Sequence, residues 1–306
     1  MRGPPSTIDE FRALFSESRD PRQWPHVASG LTYRRAIHEL AAFFGVEDTE
    51  AAVFERRAAS DPADYASKLL RATGTAVLFV DDAFPAAGEG TTYAELGELA
   101  GCEARPVLRL EARAAAAVDA VRHARSDGYV ALKTIAAYRG GLDRISEDVV
   151  AALEANEATG APLPVQVHCG FGDADLELPR ADPGHLKPLV ERFGETTFVL
   201  LHCYPFVREA GWLAHVYGNV YFDLSLTIPY VARPAEALRE ALELGPISKL
   251  LYASDGARTP ELFYLAAAWW REALADVLAE ALPLDEAEAA GRAILRDNAR
   301  RVYALP

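Results

Sequence analysis

From Thr75 to the C-terminus, strand-like and helix-like segments alternate, and this alternation limits the fold more than any other feature. Seven short apolar runs are each followed by a segment with apolar residues at three- and four-residue spacing. Such a repeat predicts a parallel sheet with right-handed crossovers. No Gly-x-Gly-x-x-Gly follows the first run, so an α/β fold of the TIM (β/α)8 barrel type is favoured over a dinucleotide-binding fold.

Each apolar run ends in an ionisable side chain. In chain order these residues are Asp81, Glu111, Lys133, His168, His202, Asp223 and Asp255. The carboxyl ends of barrel strands meet on one rim, where barrel enzymes have their active sites, so we expect these side chains to converge. Asp81 and its neighbour Asp82 are interpreted as loop-capping residues.

His168 and His202 end consecutive runs in matching positions. A single strand-end histidine is more often a hydrogen-bonded core residue, but two in register, with Asp255 further along the rim, indicate a metal site. Two neutral imidazoles and a carboxylate are a suitable ligand set for zinc or a similar divalent ion, which activates water for hydrolysis. Asp255 is then both a metal ligand and the general base.

Lys133 is one of four lysines among 31 basic residues, and it lies at the end of an apolar run. A protonated amine beside a metal is repelled, so we expect Lys133 to be neutral, to be carboxylated into a metal ligand, or to bind a substrate anion. The residues predicted to contact the substrate are Arg139, Asp173, Tyr204 and Glu111. An ordinary salt bridge is the alternative for Arg139, and an ion pair with Arg139 or Arg109 is the alternative for Glu111.

The length of 306 residues fits one large domain. Residues 1–74 are predicted to form a helical segment packed on the barrel, and residues 75–306 to form the barrel itself. Four helices are expected in the first part: one through Phe15, then Thr32–Phe44, Thr49–Ala59 and Pro62–Ala72. This segment is interpreted either as a lid or as the subunit interface of a homo-oligomer.

Charge and composition exclude several classes of partner. The formal charge of −14 argues against nucleic acid and anionic lipid, and no apolar run reaches the length of a membrane span. The first residues do not show the basic, apolar and small-residue pattern of a secretion signal, so none is expected. Three cysteines, Cys102, Cys169 and Cys203, form an odd and sparse set that indicates reduced thiols in a cytoplasmic protein. A small molecule is therefore the expected partner.

Five segments together resemble the amidohydrolase superfamily. The likeness is to its amidohydrolase-related (amidohydrolase 2) branch, some members of which are fused to glutamine-synthetase-like domains. The segments are Lys133–Arg139, Val167–Asp173, Leu201–Pro205, Tyr221–Ser225 and Ala253–Asp255, and the resemblance runs from about Arg2 to the end.

The resemblance implies a TIM barrel with a divalent metal at its strand ends. In that pattern His168, His202 and Asp255 are ligands, and Lys133 is a carboxylated bridge between two ions. Zinc is the expected metal, as one or two ions, with manganese or iron as alternatives.

One part of the branch's signature, a His-x-His at the end of its first strand, is absent. The absence agrees with the count of seven strands, where a closed barrel has eight. Arg2-Gly-Pro resembles the sequence that follows such a loop in the branch. We therefore expect either that a longer reading frame supplies the first strand or that its loss leaves a metal-poor barrel. The polypeptide as written is expected to bind metal weakly.

The sequence thus predicts a metal-dependent hydrolase that cleaves a C–N bond in a small carboxylate-bearing amide or γ-glutamyl-type compound. A decarboxylase or other lyase is the first alternative, because the same metal site serves those reactions in the branch. A non-catalytic, degenerate barrel that binds a metabolite or a partner is the second.

Overall fold

A computed structural model describes residues 5–84, 90–256 and 259–305. Its strands are β1 (Val77–Asp81), β2 (Glu103–Arg109), β3 (Ala131–Thr134), β4 (Val165–Cys169), β5 (Phe198–His202), β6 (Val220–Asp223) and β7 (Leu250–Leu251). Its helices are α1 (Ile8–Ala13), α2 (Trp24–Val27), α3 (Leu31–Phe44), α4 (Glu50–Ala58), α5 (Pro62–Ala72), α6 (Tyr93–Ala100), α7 (Ala117–His123), α8 (Glu147–Glu157), α9 (Lys187–Arg192), α10 (Val207–Val216), α11 (Thr227–Tyr230), α12 (Pro234–Leu244), α13 (Pro260–Ala281), α14 (Leu284–Arg292) and α15 (Asn298–Val302).

The strands form one parallel sheet in the order β1 to β7, so each strand neighbours the next along the chain. Val107 on β2 and Leu251 on β7 belong to one buried cluster, although four strands separate them in the sheet. Residues that far apart meet only if the sheet curls round on itself. The curled parallel sheet with outer helices is the TIM-barrel fold that the sequence predicted, with seven strands in the described ranges.

Burial on both faces explains the composition of the strands. Every residue of β5, from Phe198 to His202, is buried. One side of the sheet faces the barrel interior, and the other packs against helices in the main core, where Phe198 and Leu200 lie. Nearly continuous apolar runs are typical of strands covered on both faces.

Helices α1 to α5 precede the first strand. Thr7 caps α1, and its side chain and that of Glu10 bond reciprocally to backbone N–H groups, as the sequence predicted. Phe11 is fully buried and packs edge-on against Phe15 and Tyr33. Helices α3 and α5 both contact α13, which follows the last strand.

Two details differ from the sequence-based expectation. Strand β7 covers only two residues, whereas the apolar run suggested a strand through Ser254. The amphipathic pattern of residues 285–303 predicts one continuous last helix, but the structure divides it by a π-helical turn at Ala293–Asp297. The comparison of Arg2-Gly-Pro with a His-x-His loop falls outside the described residues.

Candidate active site

The two predicted ligand histidines lie together at the carboxyl ends of adjacent strands. His168 is the penultimate residue of β4 and His202 is the last residue of β5. Their ring centroids are 4.5 Å apart, and both side chains are almost completely buried. Burial is the main cause that lowers the pKa of each imidazole well below its ordinary value, and the nearby charge of Lys133 adds to it. Both rings are therefore neutral at pH 7.

A hydrogen-bond chain orients the ring of His202. Its Nδ1 lies 2.7 Å from the hydroxyl oxygen of Ser225, which lies 2.7 Å from Oδ1 of Asp223. The backbone N–H groups of His202 and Ser225 also donate to this oxygen, at 2.8 and 2.9 Å. Burial raises the pKa of Asp223 to about 6, so at pH 7 the carboxylate accepts all three bonds.

This series of hydrogen bonds favours one tautomer of His202. The Ser225 hydroxyl has one proton and donates it to the Asp223 carboxylate, so its oxygen accepts the proton of Nδ1. The lone pair of the neutral ring is then on Nε2, the atom free to bind a metal ion. The backbone N–H of Leu226 also donates toward Nδ1, at 3.3 Å, which favours the opposite tautomer, but this contact is longer than the 2.7 Å bond to Ser225. Hydrogen bonds of this kind orient metal-ligating histidines in many proteins.

His168 presents a second nitrogen suited to a metal. Its Nε2 is buried and has no hydrogen-bond partner among the described residues. The ring of Tyr138 packs beside it, with centroids 4.7 Å apart. Burial, followed by the negative charge of Asp173, raises the pKa of Tyr138, so its phenol stays protonated. A neutral buried imidazole with an unpartnered nitrogen fits a divalent ion.

The position of a third ligand is less defined. Within the described ranges no group of three or more His, Cys, Asp or Glu side chains is arranged to hold a metal. Asp255 follows β7 and lines the same cavity as His202. Catalytic zinc sites have three protein ligands, so the pair supplies two of the usual three. The assignments of Asp255 and Lys133 as ligands stay predictions.

The backbone is unusual where the site is formed. His202, Cys203 and Asp255 have positive φ angles of 71°, 65° and 46°, a region that residues other than glycine rarely adopt. Hydrogen bonds from His202 N to Asp223 and from Thr227 to the His202 carbonyl hold this conformation. Strained backbone of this kind concentrates at functional sites.

Lys133 belongs to a polar cluster on β1 to β3. Its Nζ lies 3.5 Å from Oδ2 of Asp81, and Nε of Arg109 donates to the same oxygen at 2.8 Å. The three side chains line a cavity of about 650 Å³ that His202 and Asp255 also line. Asp81 caps its loop as expected, through a bond from the N–H of Ala83, but its other oxygen is the centre of this cluster.

None of the four predicted substrate-binding residues lines this cavity. The side chain of Arg139 is exposed and donates to the carbonyl of Tyr138. Oε1 of Glu111 accepts from the Thr134 hydroxyl and from the N–H of Ile135, so it holds the turn after β3. Neither contact gives a reason to place a substrate there, and their substrate-binding role stays a prediction.

Asp173 contacts a segment of the chain that sequence reasoning missed. Arg19, between α1 and α2, forms ion pairs with Asp173 and Asp175. Glu17 accepts a hydrogen bond from the Tyr230 hydroxyl at 2.9 Å. The ring of Phe171 contacts both Tyr230 and Tyr204. The N-terminal segment therefore reaches the loops that follow β4 and β6.

The fold and the buried histidine pair define a TIM barrel with a candidate metal centre at its strand ends. The sequence model of the Amidohydrolase family matches residues 46–305, so the chain belongs to that family. Protein fluG of Emericella nidulans is 42% identical to this chain over 161 residues. The match covers 50% of this chain and 19% of fluG, so it spans about a fifth of that relative.

Two solved structures superpose on this chain. A Lactobacillus casei protein, provisionally described as a metal-dependent hydrolase, superposes with a TM-score of 0.83 and 26% identity, covering 98% of this chain and 91% of that one. Uronate isomerase from Thermotoga maritima superposes with a TM-score of 0.61 and 14% identity, over 97% and 82% of the two chains. The second likeness shows the shared fold alone.

No helix in the described ranges combines the length and the hydropathy needed to cross a bilayer. The three cysteines are free thiols, with Cys169 and Cys203 buried beside the two histidines in sequence. Burial raises the pKa of both thiols well above its ordinary value, so they stay protonated and act as small apolar residues.

Proposed function

We propose that the protein is a metal-dependent amidohydrolase that cleaves a C–N bond in a small carboxylate-bearing compound. The observation that carries the proposal is the pair of buried, neutral imidazoles, with the unpartnered Nε2 of His168 beside the oriented ring of His202. Membership of the family and the likeness to the Lactobacillus casei hydrolase support it. Zinc is the proposed metal, because imidazole donors suit it.

His168 and His202 would hold the ion through their Nε2 atoms. A bound divalent ion polarises a carbonyl oxygen and makes water a better nucleophile. Asp255 is assigned the proton transfer: it accepts a proton from the attacking water and passes it to the leaving amine nitrogen. The cavity beside Asp255, of about 650 Å³, is large enough for a small substrate.

The first test is the metal content per chain, measured by elemental mass spectrometry. The missing His-x-His predicts weak binding, so each protein is first incubated with excess zinc and then desalted. We expect some metal to stay on the wild-type protein and less on His168→Ala and His202→Ala. His215→Ala is the matched control, because His215 is exposed on α10. Equal metal content in all four proteins would remove the histidine pair from the metal centre. Absence of metal from the wild-type protein would favour the non-catalytic barrel.

The second test is turnover of small amides by the metal-loaded protein. Asp255→Asn is expected to abolish turnover, because an amide side chain cannot accept the proton. Unchanged turnover would contradict the role of Asp255. Product analysis separates the main alternative: an amine indicates hydrolysis, and carbon dioxide indicates a decarboxylase.

The three free thiols also favour a reducing compartment, so we propose the cytoplasm. Subcellular fractionation of the producing organism tests this directly, with recovery in a secreted fraction as the opposing result.

A further inference from the structure

The cavity contains two cationic side chains that share one carboxylate. Arg109 and Lys133 both line it, and both reach Oδ2 of Asp81. All three side chains are between 12% and 15% exposed, so water screens them only partly. The neighbouring carboxylate, Asp82, is already bonded to Arg113 and to the Tyr129 hydroxyl. The cluster of Arg109, Lys133 and Asp81 therefore carries one positive charge in excess.

The strand order places this excess charge on one side of the cavity. Arg109 and Lys133 belong to β2 and β3, whereas Asp223 and Asp255 belong to the end of β6 and the loop after β7. The histidine pair, on β4 and β5, lies between the two groups in the sheet. Three further arginines that line the cavity, Arg271, Arg296 and Arg300, lie on helical elements after β7 rather than at the strand ends. At the strand ends themselves, an anionic group is attracted to the cations of β2 and β3 and repelled from the carboxylates of Asp223 and Asp255.

The charges of this cluster reach the histidine pair. Lys133 lowers the pKa of both imidazoles and Arg109 lowers that of His168, in each case after the larger influence of burial. The cationic side chains are therefore within electrostatic range of the atoms where the reaction is proposed to occur. A substrate anion held by Arg109 would keep the rest of a small molecule near those rings.

We infer that Arg109 and Lys133 form a subsite that binds a carboxylate group of the substrate, with Asp81 as the counter-ion that holds both cations in place. Nε and Nη2 of Arg109 already donate to Oδ2 of Asp81, so a substrate carboxylate would take the N–H groups of Nη1. Lys133 adds a second, point-like charge. The inference deepens the proposed function, on which its substrate class rests, and it assigns to Arg109 the role that the sequence suggested for Arg139.

The test is calorimetric titration of the purified protein with glutarate, a small dicarboxylate that needs no turnover. Glutarate is expected to bind, and the uncharged diamide glutaramide to bind at least about tenfold more weakly. Inorganic phosphate is the third probe. Phosphate that binds more tightly than glutarate would overturn the assignment to a carboxylate.

Substitutions then locate the subsite. Arg109→Gln and Lys133→Gln are each expected to weaken glutarate binding about tenfold or more, because each removes a charge-assisted hydrogen bond. Arg105→Gln is the matched control. Arg105 is on the same strand, four residues before Arg109 and so further from the rim, and it forms an ion pair with Glu103. It is expected to bind glutarate as the wild type does.

Asp81→Asn is expected to change glutarate affinity in the opposite direction, an effect that a merely structural cluster would not produce. Removal of the counter-ion frees both cations for the ligand, so glutarate should bind several-fold more tightly. Glutarate affinity that is equal in the wild type and Arg109→Gln, or absent in the wild type, would overturn the subsite.

The two proposals fail separately. Glutarate binding that depends on Arg109, in a protein that hydrolyses no amide, would support the subsite and contradict the proposed function. Amide turnover whose KM is unchanged in Arg109→Gln would support the proposed function and contradict the subsite.

Discussion

The hydroxyl oxygen of Ser225 lies 2.7 Å from Nδ1 of His202, and the same hydroxyl donates to the buried carboxylate of Asp223. In Ser225→Ala the ring loses the acceptor that keeps its proton on Nδ1. We expect the affinity for zinc to fall by about 10- to 100-fold, as is usual when the orienting partner of a ligand histidine is removed. Calorimetric titration with zinc measures it.

A spectroscopic readout separates this role from a loss of folding. Imidazole ¹⁵N shifts are expected to show the Nδ1–H tautomer of His202 in the wild type and a tautomer mixture in Ser225→Ala. Ser126→Ala removes a hydroxyl with an exposed hydrogen bond, so it should leave zinc affinity unchanged. Equal affinity in Ser225→Ala and the wild type would show that the chain from Asp223 does not orient His202.

The histidine pair could be found from sequence because its signals are local. An apolar run indicates a buried strand, and the residue that ends the run lies on the rim of the barrel. A parallel sheet then brings the ends of consecutive strands together. The register bears this out: Cys169, next to His168, is directly paired with His202. The same reasoning could have found Arg109, a charged residue inside an apolar run, whose register partner is Lys133.

Contacts of the N-terminal segment could not be found in this way. Arg19 meets Asp173, and Glu17 meets Tyr230, across more than 150 residues of chain, and no periodic pattern marks either one. The path of the chain after α1 decides these contacts. For Arg139, proximity to a strand end in sequence suggested a place in the site, and that role stays a prediction. The turn at Ala136–Tyr138 instead leaves its side chain exposed.

A buried ion pair ties α4 to the start of α13, just after the Asp255 loop. Arg57 and Glu261 are 5% and 0% exposed, and the Tyr65 hydroxyl also donates to Glu261, at 2.9 Å. Glu261→Gln leaves Arg57 as an uncompensated buried charge. We expect the free energy of unfolding to fall by about 3–5 kcal/mol, measured by urea denaturation.

The exposed pair of Arg239 and Glu280 is the control for that experiment. Glu280→Gln is expected to change stability by less than about 1 kcal/mol, because water screens the pair. Losses of similar size in both variants would mean that burial does not set the energetic importance of Glu261.

Two glycines with nearly the same φ angle allow the cost of backbone strain in a Gly→Ala substitution to be measured separately from the cost of steric overlap. Gly170, beside His168, has a φ of 76°, and Gly160 has a φ of 73°. A methyl group at Gly170 would overlap the Tyr204 carbonyl, whereas a methyl group at Gly160 meets no atom within 4 Å. We expect Gly160→Ala to cost about 1 kcal/mol and Gly170→Ala about 2–4 kcal/mol.

Urea denaturation of the two variants provides the measurement. Gly170→Ala should also reduce zinc affinity, because the Tyr204 backbone follows His202 and has to move. Equal losses of stability would show that the loop after β5 relaxes around the added methyl group, and unchanged zinc affinity would show that this movement does not reach His202.

Glu50 makes part of the stability dependent on pH. Arg12 donates two hydrogen bonds to its carboxylate, at 2.7 and 2.6 Å, and the Tyr33 hydroxyl donates a third, at 2.7 Å. Burial alone would raise the pKa of Glu50, but these donors outweigh it and leave the pKa below its ordinary value of 4.5. The unfolded chain therefore takes up the proton first as the pH falls, and the stabilisation present above about pH 4.5 is lost below it.

Comparison of Glu50→Gln with the wild type by urea denaturation at several pH values tests this sign. The variant is expected to be less stable by about 1–3 kcal/mol at pH 7, because a neutral amide replaces a carboxylate with three donors. The difference should shrink as the pH falls through the acid range, since the wild-type carboxylate is then protonated as well. Glu243→Gln, at an exposed position of α12, should stay within about 0.5 kcal/mol of the wild type at every pH. A difference for Glu50→Gln that is constant with pH would mean that the contribution of Glu50 is packing rather than charge.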